Sequence, residues 1–278
     1  MATAVITGGT DGIGAGLAAE YLRRGFEVVV IGRNERRGAA FASAGERARF
    51  IRADLRGVAE NRRLAERLSE RYPAIDVLVL GARYHQPNRV VTSDGFESNF
   101  ALFYLSRFLL SHGLVGPLSR ADNPVVLNFG GAGQTGPARW DDIQLEHAYH
   151  GVGAMGHAGH LNDLLGVDFV NTYADAGIRY VLNHPGVVAT SFAGEYDRVT
   201  AAQIEQLKAI GKPVSTAVDQ ILPFLESPGE ERLTAVMEGR SVPLEPNSRY
   251  LDDARRLRRL TADLLARFDR SRAQSVSR

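Results

Sequence analysis

"TAVITGGTDGIG" occupies residues 3–14. "TAVIT" is a short β-branched and aliphatic run, glycines follow it, and "AGLAAEYLRRG" (15–25) continues with a helical pattern. A strand that ends in a glycine turn and opens a helix is a place for an anion. Glycines let the backbone approach a pyrophosphate, and the helix N-terminus offers unpaired N–H groups and a partial positive charge. A purely structural turn calls for the same glycines. Their position directly after a buried N-terminal strand favours the dinucleotide reading.

The same alternation runs outward from this unit. "FEVVVIG" (26–32), "ARFIRAD" (48–54), "IDVLVLGA" (75–82), "PVVLNFGG" (124–131), "IRYVLNHPG" (178–186) and "LTAVMEGR" (233–240) read as strands. Helical stretches near 58–72, 94–112 and 151–176 separate them. The pattern predicts the α/β class: a Rossmann-type doubly wound parallel sheet of about seven strands, in one domain spanning 1–278. Segment 190–226 is helical but falls outside the alternation, so it is expected as a small helical lid that binds substrate. "DDARRLRRLTADLLARF" (252–268) reads as an amphipathic terminal helix capped by Asp252 and Asp253, with the last ten residues frayed.

Composition removes several function classes. The chain has no cysteine, which excludes disulfides, thiolate metal sites and cysteine nucleophiles. Net charge is +1 and the basic residues are dispersed, so neither nucleic acid nor a membrane surface is an expected partner. No apolar run approaches the ~18 residues a membrane helix needs, and the chain enters its first strand at once; a cytoplasmic protein is expected.

Thr7, Gly8, Gly12, Ile13 and Gly14 match Thr-Gly-x-x-x-Gly-Ile-Gly, and on these residues the chain resembles the short-chain dehydrogenase/reductase family. The likeness covers roughly residues 2–192 and implies a nicotinamide cofactor. Thr10 and Asp11 then lie in the phosphate loop. The second strand ends in Gly32-Arg33-Asn34 with no acid to hold a ribose 2′-hydroxyl, and the Arg33 guanidinium suits the 2′-phosphate of NADP(H). Arg36 and Arg37 are further candidates for that phosphate, although a solvated helix start accounts for them more readily than for Arg33. By resemblance Asp54 contacts adenine with Leu55 beside it. Gly81, Ala82 and Arg83 form the turn beside the ribose, where Leu80 and Gly81 replace the usual asparagines and Arg83 a glycine. Pro185, Gly186, Val188 and Thr190 of "HPGVVAT" (184–190) are expected to hold the nicotinamide carboxamide.

The family's catalytic set is Asn, Ser, Tyr and Lys. Carried over position by position, the Asn falls on Phe103, with Ser106, Arg107 and Phe108 in the turn that follows. The Ser falls on Gly131, after Gly130, and the Tyr and Lys fall on Met155 and Gly159, with Asn162 on a family asparagine. A one-residue slip gives Gly156 and His160 instead. The chain's only lysines, Lys208 and Lys212, are not preceded by tyrosine four residues earlier, so Tyr-x-x-x-Lys is absent and no catalytic residue is assigned. His147, His150, His157 and His160 are candidate acids, yet His157 and His160, three apart, are better read as one solvated helical face. Tyr84, Tyr104 and Tyr149 are further donors or half-buried packing residues. The histidines lack the spacing and acidic support of a metal site, and none is expected.

Two functions fit these residues. One is a reductase whose proton comes from the substrate or water; the other is a non-catalytic NADP-binding sensor or interaction protein. The combination resembles the atypical ketoreductases of actinomycete polyketide pathways, which implies a small-molecule aromatic ketone of angucyclinone type. A neighbouring phenol on such a ketone polarises the carbonyl and has a proton to share.

Overall fold

The computed structural model describes residues 1–133, 138–226, 231–244 and 248–276. β1 (Thr3–Thr7) lies in the middle of the sheet, every residue buried, and leads into α1 (Gly12–Arg23). β2 (Glu27–Gly32), α2 (Glu35–Ala42), β3 (Ala48–Arg52), α3 (Val58–Arg71) and β4 (Val77–Leu80) follow. A π-helical turn over Phe100–Leu105 runs into α4 (Ser106–Gly113) and the short α5 (Val115–Leu118). Next come β5 (Val125–Phe129), α6 (Gly151–Thr172), β6 (Arg179–His184), α7 (Arg198–Ile210) and α8 (Val214–Glu226). β7 (Leu233–Met237), β8 (Arg240–Val242) and α9 (Ser248–Val276) complete the described elements.

The strands form one sheet in the order β3-β2-β1-β4-β5-β6-β7-β8, parallel except for β8. Chain order reverses between β1 and β4, which leaves a crevice beyond their carboxyl ends. α1 and α8 pack on one face through Leu17, Tyr21, Val218 and Ile221. α3, α4 and α6 pack on the other through Leu64, Leu68, Leu110 and Phe169. α9 lies outside α6, where Leu257 and Leu265 join Leu161 and Leu164, and Tyr104 shares a 2.7 Å hydroxyl hydrogen bond with Thr261.

The sheet has eight strands where about seven were expected, because the run read as one strand over 233–240 contains a turn. Glu238 (φ 48°) and Gly239 (φ 78°) are both left-handed and fold β8 back on β7. Segment 190–226 divides in two. α8 buries Ala217, Ile221 and Leu225 in the core and is the crossover helix between parallel β6 and β7, so it is no lid. Only the loop after β6 and α7, which buries no residue, lie outside the layers. α9 begins at Ser248, which puts Asp252 and Asp253 inside it rather than at its cap. Phe268 packs against Phe96 and Asp269 accepts from Arg62 at 2.6 and 3.0 Å, whereas residues 270–274, expected as part of a frayed end, continue the helix exposed, and 277–278 lie outside the described residues. Among the described residues no helix is long and apolar enough to cross a membrane.

Candidate cofactor and substrate cleft

A cavity of about 730 Å³ opens at the crevice beyond β1 and β4, in the upper part of the range of small-molecule sites. Gly8, Thr10, Asp11, Gly12, Ile13 and Gly14 line it at the start of α1. The turn closes tightly, since a Cβ on Gly14 would stand 2.4 Å from the Gly8 carbonyl oxygen. Asp11 caps α1, its Oδ1 accepting from Gly12 N at 2.8 Å. Its Oδ2 accepts from Arg37 Nη1 at 2.6 Å and from the Ser191 hydroxyl. Burial opposes ionisation here, but Ser191 and Arg37 outweigh it and hold the carboxyl below its ordinary value. Asp11 thus ties the glycine turn to α2 and to the loop after β6.

Gly32, Arg33, Asn34 and Arg37 line the cleft beyond β2. Asn34 caps α2, accepting from Arg37 N at 3.0 Å, and the Arg37 side chain is exposed, as a solvated helix start implies, while its ion pair with Asp11 brings it to the edge of the cleft. The Arg33 guanidinium lies over the Tyr84 ring, 4.8 Å from its centroid. Leu55, Gly81, Ala82 and Arg83 line the adjoining wall, and Pro185, Gly186 and Thr190 the end of β6. Two expected residues do not line it. Asp54 is turned onto Arg56, accepting from its Nη2 at 2.6 Å. Val188 is buried with its flanking backbone pairing to Lys212.

At the other end, Phe103, Gly131, Met155 and Gly159 all line this one cavity, with Gly130 and Gly156 beside them. The ungapped register therefore faces inward. The slipped alternative His160 is buried against the edge of the Tyr250 ring and does not line the cleft. His157 meets the Ile143 carbonyl at 3.2 Å, His150 caps α6, and exposed His147 sits beside Asp142. Burial holds both His157 and His160 below their ordinary pKa, which disfavours their charged, proton-donating form. Tyr104 is buried on Thr261, and Tyr149 accepts from Asn99 and donates to the Gln86 carbonyl; neither lines the cleft, whereas Tyr84 does.

A buried polar network supports these inward positions. The π-helical turn leaves the Phe103 carbonyl to accept from Asn162 Nδ2 at 2.6 Å, and Asn162 Oδ1 accepts from Asn128 at 3.1 Å. Asp163 accepts from the N–H groups of Gly131, Ala132 and Gly133 at 3.1, 3.0 and 2.9 Å. Ala132 (φ 48°) and Gly133 (φ 80°) are left-handed, so the loop curls around this carboxylate. Those N–H groups are spent on Asp163 and cannot serve a reacting oxygen.

Several residues in the cleft escaped the sequence reading. Arg107 was placed only in a turn, yet it is 2% exposed and borders the cavity. His85 and Tyr196 also line it, their rings stacked 4.6 Å apart. His85 Nδ1 donates to the Glu195 carbonyl at 2.9 Å, which leaves Nε2 an acceptor in the neutral ring, and Tyr196 donates its proton to the Phe192 carbonyl at 2.7 Å. No local motif marks these residues. They meet because the loop after β6 pairs with the segment after β4 at His85 and Gly194. On α7, Thr200, Ile204 and Leu207 share one helical face, and all three line the cleft.

A parallel sheet with a glycine turn at its switch point, and a cleft running from it to the end of β6, defines a dinucleotide-binding α/β protein. The family model described as short chain dehydrogenase matches residues 2–137. "Putative daunorubicin C-13 ketoreductase DnrU" of Streptomyces sp. (strain C5) is 32% identical over 194 residues, 68% of this chain and 66% of that protein. Human retinol dehydrogenase 14 is 25% identical over 91% of this chain and 78% of its own. The structure of a short-chain dehydrogenase from Sphingobium yanoikuyae in complex with NADPH superposes with a TM-score of 0.64 at 22% identity, over 92% of this chain and 94% of that one. The chain belongs to the short-chain dehydrogenase/reductase family.

Proposed function

We propose that the protein is an NADPH-dependent ketoreductase that reduces an angucyclinone-type aromatic polyketide ketone in antibiotic biosynthesis. In kind it stands close to the simocyclinone 7-ketoreductase. The proton comes from the substrate's own phenol or from water. One observation carries this reading: the four positions that resemblance assigns to catalysis, Phe103, Gly131, Met155 and Gly159, line the same cleft as the glycine turn, and none can give a proton. The name of the daunorubicin relative supports the ketone class.

The residues present fit the cofactor. The N-terminus of α1 suits a pyrophosphate, and Arg33 stands beyond β2 without a competing acid at that strand's end. Pro185, Gly186 and Thr190 line the cleft at the end of β6, and in this reading they hold the carboxamide. NADPH bound there supplies a hydride to the carbonyl. Phe103 and Met155 wall the space in which a planar ring would lie, and the glycines leave that space open. Holding the reactants in attack geometry contributes roughly 7–11 kcal/mol. A positioned acid adds only about 10²–10⁴ in rate, an amount an internally hydrogen-bonded phenol can replace.

NADPH oxidation by a panel of ortho-hydroxyaryl ketones tests the activity. Arg33→Ala should weaken NADP(H) by about 1.5–3 kcal/mol and leave NAD(H) nearly unchanged. Equal affinity of the parent protein for the two cofactors contradicts the assignment. If no hydroxy-ketone is reduced, the non-catalytic NADP-binding reading replaces this one.

The loop after β6 and α7 act as the lid. Their inner face covers the cleft, while Val199 and Ile210 are 70% and 75% exposed on the outside. Closure of such a segment excludes water and completes a site. Hydrogen exchange over residues 190–212 should slow when NADP and ligand are added, whereas unchanged protection there contradicts a lid.

A further inference from the structure

Four arginines line the cleft: Arg33, Arg37, Arg83 and Arg107. Among the described residues the one carboxylate lining it is Asp11, already engaged by Arg37 and Ser191. Arg33 and Arg37 stand beyond β2, where the phosphates of a dinucleotide account for them. Arg83, although it follows β4 in the adjoining wall, extends its guanidinium to the Met155 end of the cleft, where Arg107 also lies.

Arg83 follows β4, and its Nη2 lies 3.5 Å from the Met155 sulfur. Its guanidinium therefore reaches the place where the family's proton-donating side chain would stand. A thioether is a weak acceptor and neutralises no charge. The Arg83 side chain is exposed in the cleft, and desolvation by the cleft walls holds its pKa below the ordinary arginine value. Arg107 is buried behind it, over the Phe103 ring at 4.1 Å. Its Nη1 donates to Asn128 Oδ1 at 2.5 Å and to the Phe129 carbonyl, and Nη2 donates to the Ala82 carbonyl at 3.4 Å. Its Nε has no partner. Burial first, and Arg83 in addition, push Arg107 down to about 9. Among the described residues no carboxylate lies within 4.0 Å of either arginine. Arg107 is buried without a counter-ion, a costly arrangement, and Arg83 beside it adds like-charge repulsion from the open cleft; an anion arriving against Arg83 relieves part of that repulsion.

We infer that Arg83, with Arg107 behind it, binds an ionised phenol or enol oxygen of a planar substrate at the end of the cleft bounded by Met155. Arg83 makes the contact; Arg107 is a positioning residue that adds to the local positive field and is fixed by three carbonyl oxygens. The inference rests on the ketoreductase reading for the aromatic nature of the ligand, but not on turnover. It also tells where the negative charge rests in that reading. When the phenol has given its proton to the reduced carbonyl oxygen, the phenolate left behind faces a guanidinium instead of the Gly131–Gly133 N–H groups, which Asp163 occupies.

The test uses the whole protein saturated with NADP⁺, so that no reduction occurs, and the probe 1,8-dihydroxyanthraquinone. The visible band of its phenolate reports the pKa of the bound phenol. An opposite charge at contact distance should lower that pKa by about one pH unit or more relative to the free probe. Arg83→Gln should abolish most of the shift and weaken the ionised probe by about tenfold, and Arg83→Lys should restore part of both. Arg107→Gln should reduce the shift in part; if that variant does not fold, the Arg83 pair of variants decides. An equal shift in Arg83→Gln overturns the inference, as does equal binding of 1,8-dimethoxyanthraquinone. Loss of NADP⁺ affinity in Arg83→Gln with probe binding intact would assign the arginine to the cofactor and overturn it as well. Tight, Arg83-dependent binding of anthraquinone-2-carboxylate with the phenol pKa unmoved would assign the site to carboxylates and also overturn it. A shifted phenol in a protein that reduces no ketone would sink the ketoreductase reading alone, and an unshifted phenol in an active reductase would sink this inference alone.

Discussion

Asp163→Ala should lower the unfolding free energy by at least about 3 kcal/mol, because three buried or half-buried backbone donors lose their acceptor and each orphaned group costs about 1–3 kcal/mol. Asp163 is fully buried, so water cannot readily replace it. Asp163→Asn is a graded control. A single amide oxygen can keep the pair of bonds made by Oδ1, but its NH2 group then confronts the Gly133 N–H, and an intermediate loss is expected. The acid also sets a pH dependence. Burial raises its pKa from 3.8 to about 7, against the opposing effect of the three N–H groups, so the folded protein holds this proton more tightly than the unfolded chain. That contribution is complete below the unfolded value of 3.8 and is lost as pH rises through about 7. Denaturant melts across this interval should show the decline in the parent and lose it in Asp163→Asn. A stability loss under about 1 kcal/mol in Asp163→Ala would mean that the loop does not depend on this carboxylate.

The same residue shows what was legible in the sequence and what was not. The sheet could be read because strands buried on both faces leave continuous apolar runs, and because the glycine turn after β1 has few alternative uses. β8 was hidden because Glu238-Gly239 is not among the usual hairpin turn pairs. α8 looked detached only because the insertion of α7 separates it from β6, although its apolar face is that of an ordinary crossover helix. In the cleft, residues fixed by backbone position were legible: the glycine turn, the segment after β6, and the four substituted catalytic positions all arrive where their place in the chain implies. Contacts made by long side chains across elements were not. Arg56 draws Asp54 away, Asp11 draws Arg37 in, and Arg107 reaches Asn128 and Phe129 from a different layer. Asp163 follows Asn162 in an unremarkable helix, and nothing local indicates that it holds the loop after β5.

In the proposed reading, the absence of Tyr-x-x-x-Lys is a local change in an otherwise ordered site. Met155 and Gly159 occupy inward positions on α6, Gly131 sits in a loop clamped by Asp163, and Phe103 carries the carbonyl that Asn162 holds. The histidines of the same region are committed elsewhere: His157 to the Ile143 carbonyl, His150 to the start of α6, and His160 to the packing of α9. A reductase built this way depends on its substrate for the proton, and that dependence is the central claim.

Single-turnover reduction by NADPH of an ortho-hydroxyaryl ketone and of its O-methyl ether, in the parent, His157→Ala and His160→Ala, tests it most directly. Methylation removes both the internal hydrogen bond to the carbonyl and the proton that the product oxygen needs, while leaving the ring and the ketone in place. The expected result is a fall of about 10³ or more in the parent, or at least about 4 kcal/mol in the barrier, with the free hydroxy-ketone reduced by each histidine variant within about tenfold of the parent rate. A methyl ether reduced nearly as fast as the free phenol, or a loss of about 10³ in either histidine variant with cofactor affinity intact, would show that the protein supplies the proton and would contradict the account.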